Sequence, residues 1–146
     1  MDETANVKVR AARAEDVEQI AALIEWLGFE AAPEIVGANL ATLSAQGLVP
    51  LVAEAGEAEI VGCLSISVMR VLHRPLPVGR LSMLVVAPNW RGKGVGRVLI
   101  ETALQVLRQE GCGLCEVTSN QALPDAHAFY EKLGFELTSV RLARPL

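Results

Sequence analysis

The chain has 146 residues, 51% of them hydrophobic, and a formal net charge of −4. That length suits one domain, 1–146, with a sizeable core, and the acidic balance argues against general nucleic-acid binding. No apolar stretch reaches the length of a membrane span, and the acidic start Met1-Asp2-Glu3-Thr4 lacks the charged-then-apolar layout of a signal peptide.

Residues 6–11 read as a first strand. Residues 14–27 place Val17, Ile20, Ala21, Ile24 and Leu27 on one face of a helix. Glu15, Asp16 and Glu18 crowd its first turn, where the dipole favours acids, and Gly28 ends it. Pro33 opens a second helix to about Gln46, which Gly47 closes. Residues 49–55 and 59–69 form two strands around Gly56-Glu57, a link short enough to imply an antiparallel hairpin. His73-Arg74-Pro75-Leu76-Pro77 is a loop, because its two prolines forbid a central strand. Residues 79–87 make the next strand.

That strand runs into Val85-Val86-Ala87-Pro88-Asn89-Trp90-Arg91-Gly92-Lys93-Gly94-Val95-Gly96. A helix follows over 94–110, with Val95, Val98, Leu99, Ala103, Val106 and Leu107 at helical spacing. A helix start leaves N–H groups unpaired and carries the positive end of the dipole. Glycines at 92, 94 and 96 allow close backbone approach, and Arg91, Lys93 and Arg97 add charge. The result is an anion site suited to a pyrophosphate. The spacing fits neither a P-loop nor G-x-G-x-x-G, which argues against a nucleotide-binding protein.

Gly111 stops the helix. Cys112-Gly113-Leu114-Cys115 has CxxC spacing, but there is no second pair and the chain has only two histidines. These cysteines read as structural, with no metal site. An odd total of three cysteines gives no disulfide framework, so the cytoplasm is the expected compartment. Residues 114–119 form a strand. Pro124 opens the last helix, Gly134 ends it, and Phe135 to Leu142 gives a final strand before Pro145. The order βααβββαβαβ predicts an α/β fold with a mixed sheet.

Arg91 to Gly96, as R-x-x-G-x-G, resembles the acyl-CoA loop of the GNAT family of N-acyltransferases. Asp125-Ala126-His127-Ala128-Phe129-Tyr130-Glu131-Lys132-Leu133-Gly134-Phe135 is similar to that family's closing motif, A-x-x-F-Y-x-x-x-G-F. Val7-Lys8-Val9-Arg10-Ala11-Ala12, followed by Glu15-Asp16, is similar to its opening. The resemblance spans nearly the whole chain. It implies the GNAT fold and transfer of acetyl from acetyl-CoA to a primary amine, by direct attack in a ternary complex. It implies coenzyme A in the gap between the strands flanking the glycine loop and its helix, beyond the strands' carboxyl ends. It assigns the backbones of Leu84 and Val86 to the pantetheine arm. It assigns Arg91, Gly92, Lys93, Gly94, Val95, Gly96 and Arg97 to the pyrophosphate. Tyr130, the chain's one tyrosine, becomes the group that protonates the leaving thiolate.

An amine with a pKa of about 10.4 is neutral in roughly one molecule in two thousand at pH 7. A base is therefore useful, typically worth ~10²–10⁴-fold. A backbone N–H near Val86 suits the developing oxyanion. Where many relatives carry Glu or Asp on the strand before the loop, this chain has Ser82 and Met83; a further family position falls on Arg80. The base must come from elsewhere, with Glu54, Glu116 and His73 as candidates, or Ser82 positioning a water. Leu123 stands where many relatives have a cofactor-touching Asn; Asn120 either caps the last helix or takes over part of that contact, and His127 either bonds near the cofactor or is a surface helical histidine. Specificity would come from the two early helices, with Trp26, Phe29, Glu30 and Glu34, from the 70–79 loop and from the last strand. The resemblance leaves open a small-molecule or peptide amine, and admits a homodimer through the last strand. The alternative reading is a non-catalytic acyl-CoA-binding sensor, motivated by the missing acid at 82–83.

Overall fold

A computed structural model of the chain describes residues 6–118 and 124–146. Strands β1 (Val7–Ala11), β2 (Leu51–Ala55), β3 (Glu59–Met69), β4 (Val78–Val86) and β5 (Leu114–Val117) form a five-stranded sheet in the order β1-β2-β3-β4-β5. The first four pair antiparallel and β5 joins β4 in parallel, so the sheet is mixed as its connections require. Helices α1 (Val17–Glu25), α2 (Pro33–Ala45), α3 (Val95–Gln109) and α4 (Pro124–Lys132) complete the described elements.

Alternation along the strands splits the core between the two sheet faces. On one face Leu51, Ala53, Leu64, Ile66 and Leu81 meet Leu99, Ile100, Ala103 and Leu107 of α3. On the other, Val52, Cys63 and Val85 meet Ile20 and Leu23 of α1 and Leu40 of α2. Each large side chain so buried contributes about 1.5–3 kcal/mol. Helix α3 lies so close to the sheet that a Cβ on Gly79 would stand 2.6 Å from a Leu107 methyl carbon.

Two expectations change. The helix expected over 14–27 starts with a 3-10 turn at Ala14–Asp16, and α1 proper begins at Val17. Asp16 is the cause. It is only 3% exposed, so it is an internal acceptor rather than a solvated acid facing the dipole. Arg10 donates to both its oxygens, at 2.8 and 2.9 Å, and the Arg13 backbone N–H donates to it at 2.8 Å. The strand expected from Phe135 to Leu142 does not form. Gly134, at φ +90°, lets the chain turn back so that the Phe135 N–H donates to the Tyr130 carbonyl at 3.1 Å and closes α4. Beyond it Leu137 is 89% exposed, with Val140 and Leu142 also in solvent. Alternating residues make a strand only where an edge and a buried face receive them.

Candidate active site

The site starts where β4 loses a neighbour. β4 pairs with β3 from Val78 to Val86, but with β5 only from Val78 to Leu81. From Ser82 to Val86, among the described residues, its other side borders no strand, which leaves main-chain groups for an extended ligand. The β3–β4 ladder slips at the same place: Ser65 faces Met83 and Ile66 faces Leu81. Ser82 is thus the extra residue of a bulge, a device that re-aims side chains next to sites. Its hydroxyl is exposed and donates to the Ser65 carbonyl at 3.1 Å. One rung before β4 and β5 part, Arg80 and Glu116 join the strands by an ion pair, with Arg80 Nε 3.0 Å from the carboxylate. The Leu84 and Val86 side chains pack against the α3-side core, and Val86 also lines the cavity at the start of α3.

Val86 leads directly into a cavity of about 180 Å³ at the start of α3, whose walls include Trp90, Arg91, Gly96, Arg97 and Phe129. Gly94 precedes the helix at φ +85°, a left-handed conformation that turns the loop onto the helix axis and that a side chain would strain. No acid stands in the first turn of α3 and no side chain caps it, so the dipole of this helix start, whose first residues line the cavity, is not offset. Gly96 has no side chain because Phe129 lies over it; a Cβ there would be 3.2 Å from the ring. Arg91 Nε donates to the Val86 carbonyl at 3.1 Å, which ties the basic loop to the free edge. Lys93 Nζ stands 5.3 Å from the Trp90 ring centre, a cation–π contact. Arg97 reaches Glu101 at 3.8 Å on the exposed helix surface, a weak pair that a phosphate would outbid.

Tyr130 is half-buried, edge-on to Phe129 at 5.3 Å and to Phe135 at 5.8 Å. It packs against the same core cluster as Leu84 and Val86. Burial pushes its hydroxyl above the usual value of 10, so it stays a proton donor across the neutral range.

The other expected residues are not gathered here. Glu54 lies on β2, two strands away, and accepts from Arg10 Nε at 2.9 Å. Glu116 accepts from Arg80. His73 is exposed in the connection that enters β4 at Val78, the end opposite the free edge; the 70–79 loop shares that position. Asn120 and Leu123 lie outside the described residues. Trp90 and Phe129 lie within the quoted motif segments, but the sequence reading gives neither a role in the site. Neither the Arg10–Glu54 pair nor the Arg80–Glu116 pair has a local sequence signal, because the partners lie 44 and 36 residues apart in the chain.

Free thiols occupy 63, 112 and 115. Burial pushes Cys63 up to about 12 and Cys115 to about 11, so neither is a reactive thiolate at neutral pH.

A strand that parts from its neighbour and runs into a glycine-rich loop at a helix start is the arrangement expected of an acyl-CoA-dependent transferase. The chain matches the Acetyltransferase (GNAT) family over residues 15–135 and belongs to it. It is 30% identical over 144 residues to an aminoalkylphosphonate N-acetyltransferase of Salmonella typhimurium, covering 95% of this chain and 91% of that one. A glucosamine 6-phosphate N-acetyltransferase of Trypanosoma brucei brucei is 37% identical over 78 residues, or 52% of this chain and 50% of the relative. Among solved structures, a Trypanosoma brucei acetyltransferase superposes with a TM-score of 0.83 at 28% identity, covering 96% of this chain and 99% of that one. The protein is a GNAT acetyltransferase, of a family that uses acetyl-CoA as co-substrate.

Proposed function

We propose that the chain, as one domain, moves an acetyl group from acetyl-CoA to the primary amine of a small molecule by direct attack in a ternary complex. The observation that carries this reading is the continuity of the free β4 edge with the α3 cradle through Val86 and Arg91. Leu84 and Val86 hold the pantetheine arm by their backbones. Residues Arg91 to Arg97 hold the pyrophosphate with N–H groups and positive charge. When bound, acetyl-CoA supplies a thioester whose carbonyl carbon the amine attacks. A main-chain N–H near Val86 donates to the carbonyl oxygen as charge develops there. Tyr130 gives its proton to the departing sulfur. Ser82, whose hydroxyl donates to the Ser65 carbonyl and keeps its oxygen lone pairs available, holds a water that takes the proton of the amine. Glu54 and Glu116 act in structure instead, each bound to an arginine.

The relatives named for aminoalkylphosphonate and glucosamine 6-phosphate support a small-molecule acceptor over a protein one. The commitment of both acids to arginines favours a second reading, a non-catalytic acyl-CoA sensor. Calorimetric titration with acetyl-CoA, with ATP and NAD as controls, tests the cofactor; thiol release over an amine panel separates the readings. Micromolar binding of acetyl-CoA alone, with amine-dependent thiol release, is expected. Tight binding without turnover would leave the sensor, and no binding would end both.

Free thiols suit a reducing cytoplasm, and no described helix is long and apolar enough to cross a membrane. The exposed Leu137, Val140 and Leu142 support a homodimer in which this segment meets a second copy.

A further inference from the structure

The sheet face opposite α3 holds a second cavity, of about 190 Å³, between α1, α2 and the β3–β4 pair. Its walls include Ile20 and Ile24 of α1, Val36, Leu40 and Leu43 of α2, and Met83 of β4. Asn39, Ser65 and Ser82 give its polar lining, and no charged side chain lines it among the described residues. Ser82 and Met83, the two bulge residues, belong both to this wall and to the free edge of β4. The cavity therefore opens where the acyl group would be presented. Helix α2 is apolar on more than one side, yet only Leu40 is fully buried. Trp26 (62% exposed), Phe29 (66%) and Ile35 (63%) lie in the chain beside Ile24 and Val36. A helix with that composition normally covers its apolar surface.

We infer that the acceptor is a primary amine with an apolar body, about the size of one ring or a six-carbon chain, seated in this cavity with its nitrogen at the Ser82 bulge. The inference rests on the acetyltransferase reading and names its substrate class. Size supports it: an apolar cavity of roughly 150 Å³ accepts benzene. Charge supports it as well. A second ammonium, a carboxylate or a phosphonate drawn into this lining would be desolvated with no partner, which is costly. The nitrogen lone pair forms the C–N bond and the C–S bond breaks. The nitrogen gives up one proton to water at Ser82 and the sulfur gains one from Tyr130; the proton released to water restores the Tyr130 hydroxyl, so amide and CoA thiol result.

The test uses the full chain and linear alkylamines from propyl to hexyl, phenethylamine, spermidine and 3-aminopropylphosphonate, read by thiol release. Across the alkyl series kcat/KM should rise about fourfold per methylene until the cavity is full, with phenethylamine among the best. The variants Val36→Phe and Asn39→Phe, the second at an exposed position, should raise KM for hexylamine at least about tenfold and leave calorimetric acetyl-CoA affinity unchanged. A flat alkyl series, or preference for spermidine or the phosphonate, would overturn the inference while leaving acetyl transfer intact. Loss of acetyl-CoA binding concerns the cradle instead. Saturable hexylamine binding to the CoA-free protein, removed by Val36→Phe, reads the cavity alone; its absence would also overturn the inference.

Discussion

Gly94→Asp separates charge from strain at the cradle. The substitution forces an L-residue to φ +85°, which costs about 1–2 kcal/mol. An acid at a helix N-terminus returns about 0.3–1 kcal/mol through the dipole. The net loss of stability is therefore about 1 kcal/mol, or about 3–4 °C in Tm for a chain of this size. Binding responds differently. Two unit charges roughly 5 Å apart at an effective dielectric near 20 repel by about 3 kcal/mol, and a diphosphate carries more than one. Affinity for acetyl-CoA should fall at least about 100-fold by calorimetry, with thermal melting as the folding control. Gly94→Ala carries the strain without the charge and should lose less than about tenfold. Wild-type affinity in the Asp variant would mean that no anion is held at α3. Equal losses in both variants would mean that loop geometry alone is at stake.

Tyr130→Phe should lower turnover by about 10²–10⁴ with acetyl-CoA affinity retained, and the hydroxyl's own ionisation should reduce wild-type kcat only above pH 10; a decline well below that pH which the variant abolishes would contradict the assignment. Arg10→Met leaves Asp16 buried without its charged partner, with only the Arg13 N–H still donating, and should cost about 3–5 kcal/mol in urea unfolding. Arg10 holds the Asp16 carboxyl below its ordinary 3.8. The stabilisation is therefore complete above that pH and lost as pH falls through the lower folded-state value, so wild type and variant should converge in acid. Gly79→Ala places a carbon 2.6 Å from Leu107 and should destabilise by about 1–3 kcal/mol; an unchanged Tm would show that α3 shifts freely on the sheet.

Much of this architecture is legible in local pattern. The turn at Gly56-Glu57 announces the β2–β3 hairpin, and the 3–4 spacing after Val95 announces α3. The cradle is equally readable, because loop, charge and helix start are contiguous. What was hidden is what depends on distant partners. Nothing near Glu54 marks it as bound to Arg10, and nothing near Ser82 marks it as the extra residue of a bulge. The final strand misled for the opposite reason: Leu137, Val140 and Leu142 carry a strand's pattern, but pairing is a property of the edge that receives them. Asp16 reads from the sequence as a first-turn acid favoured by the dipole, whereas in the structure it is buried and bound to Arg10 across the turn.

The two core clusters lie on opposite faces of one sheet, with Ala87 touching both. Substitutions in the α1–α2 half are thus screened by the sheet from the half that carries the glycine loop, and effects at such separated positions tend to add. If the acceptor sits in the α1–α2 cavity as inferred above, exchanging this helical hairpin should change amine preference and leave donor binding intact. A chimaera carrying another family member's residues 17–45 is accordingly a direct route to a redirected enzyme.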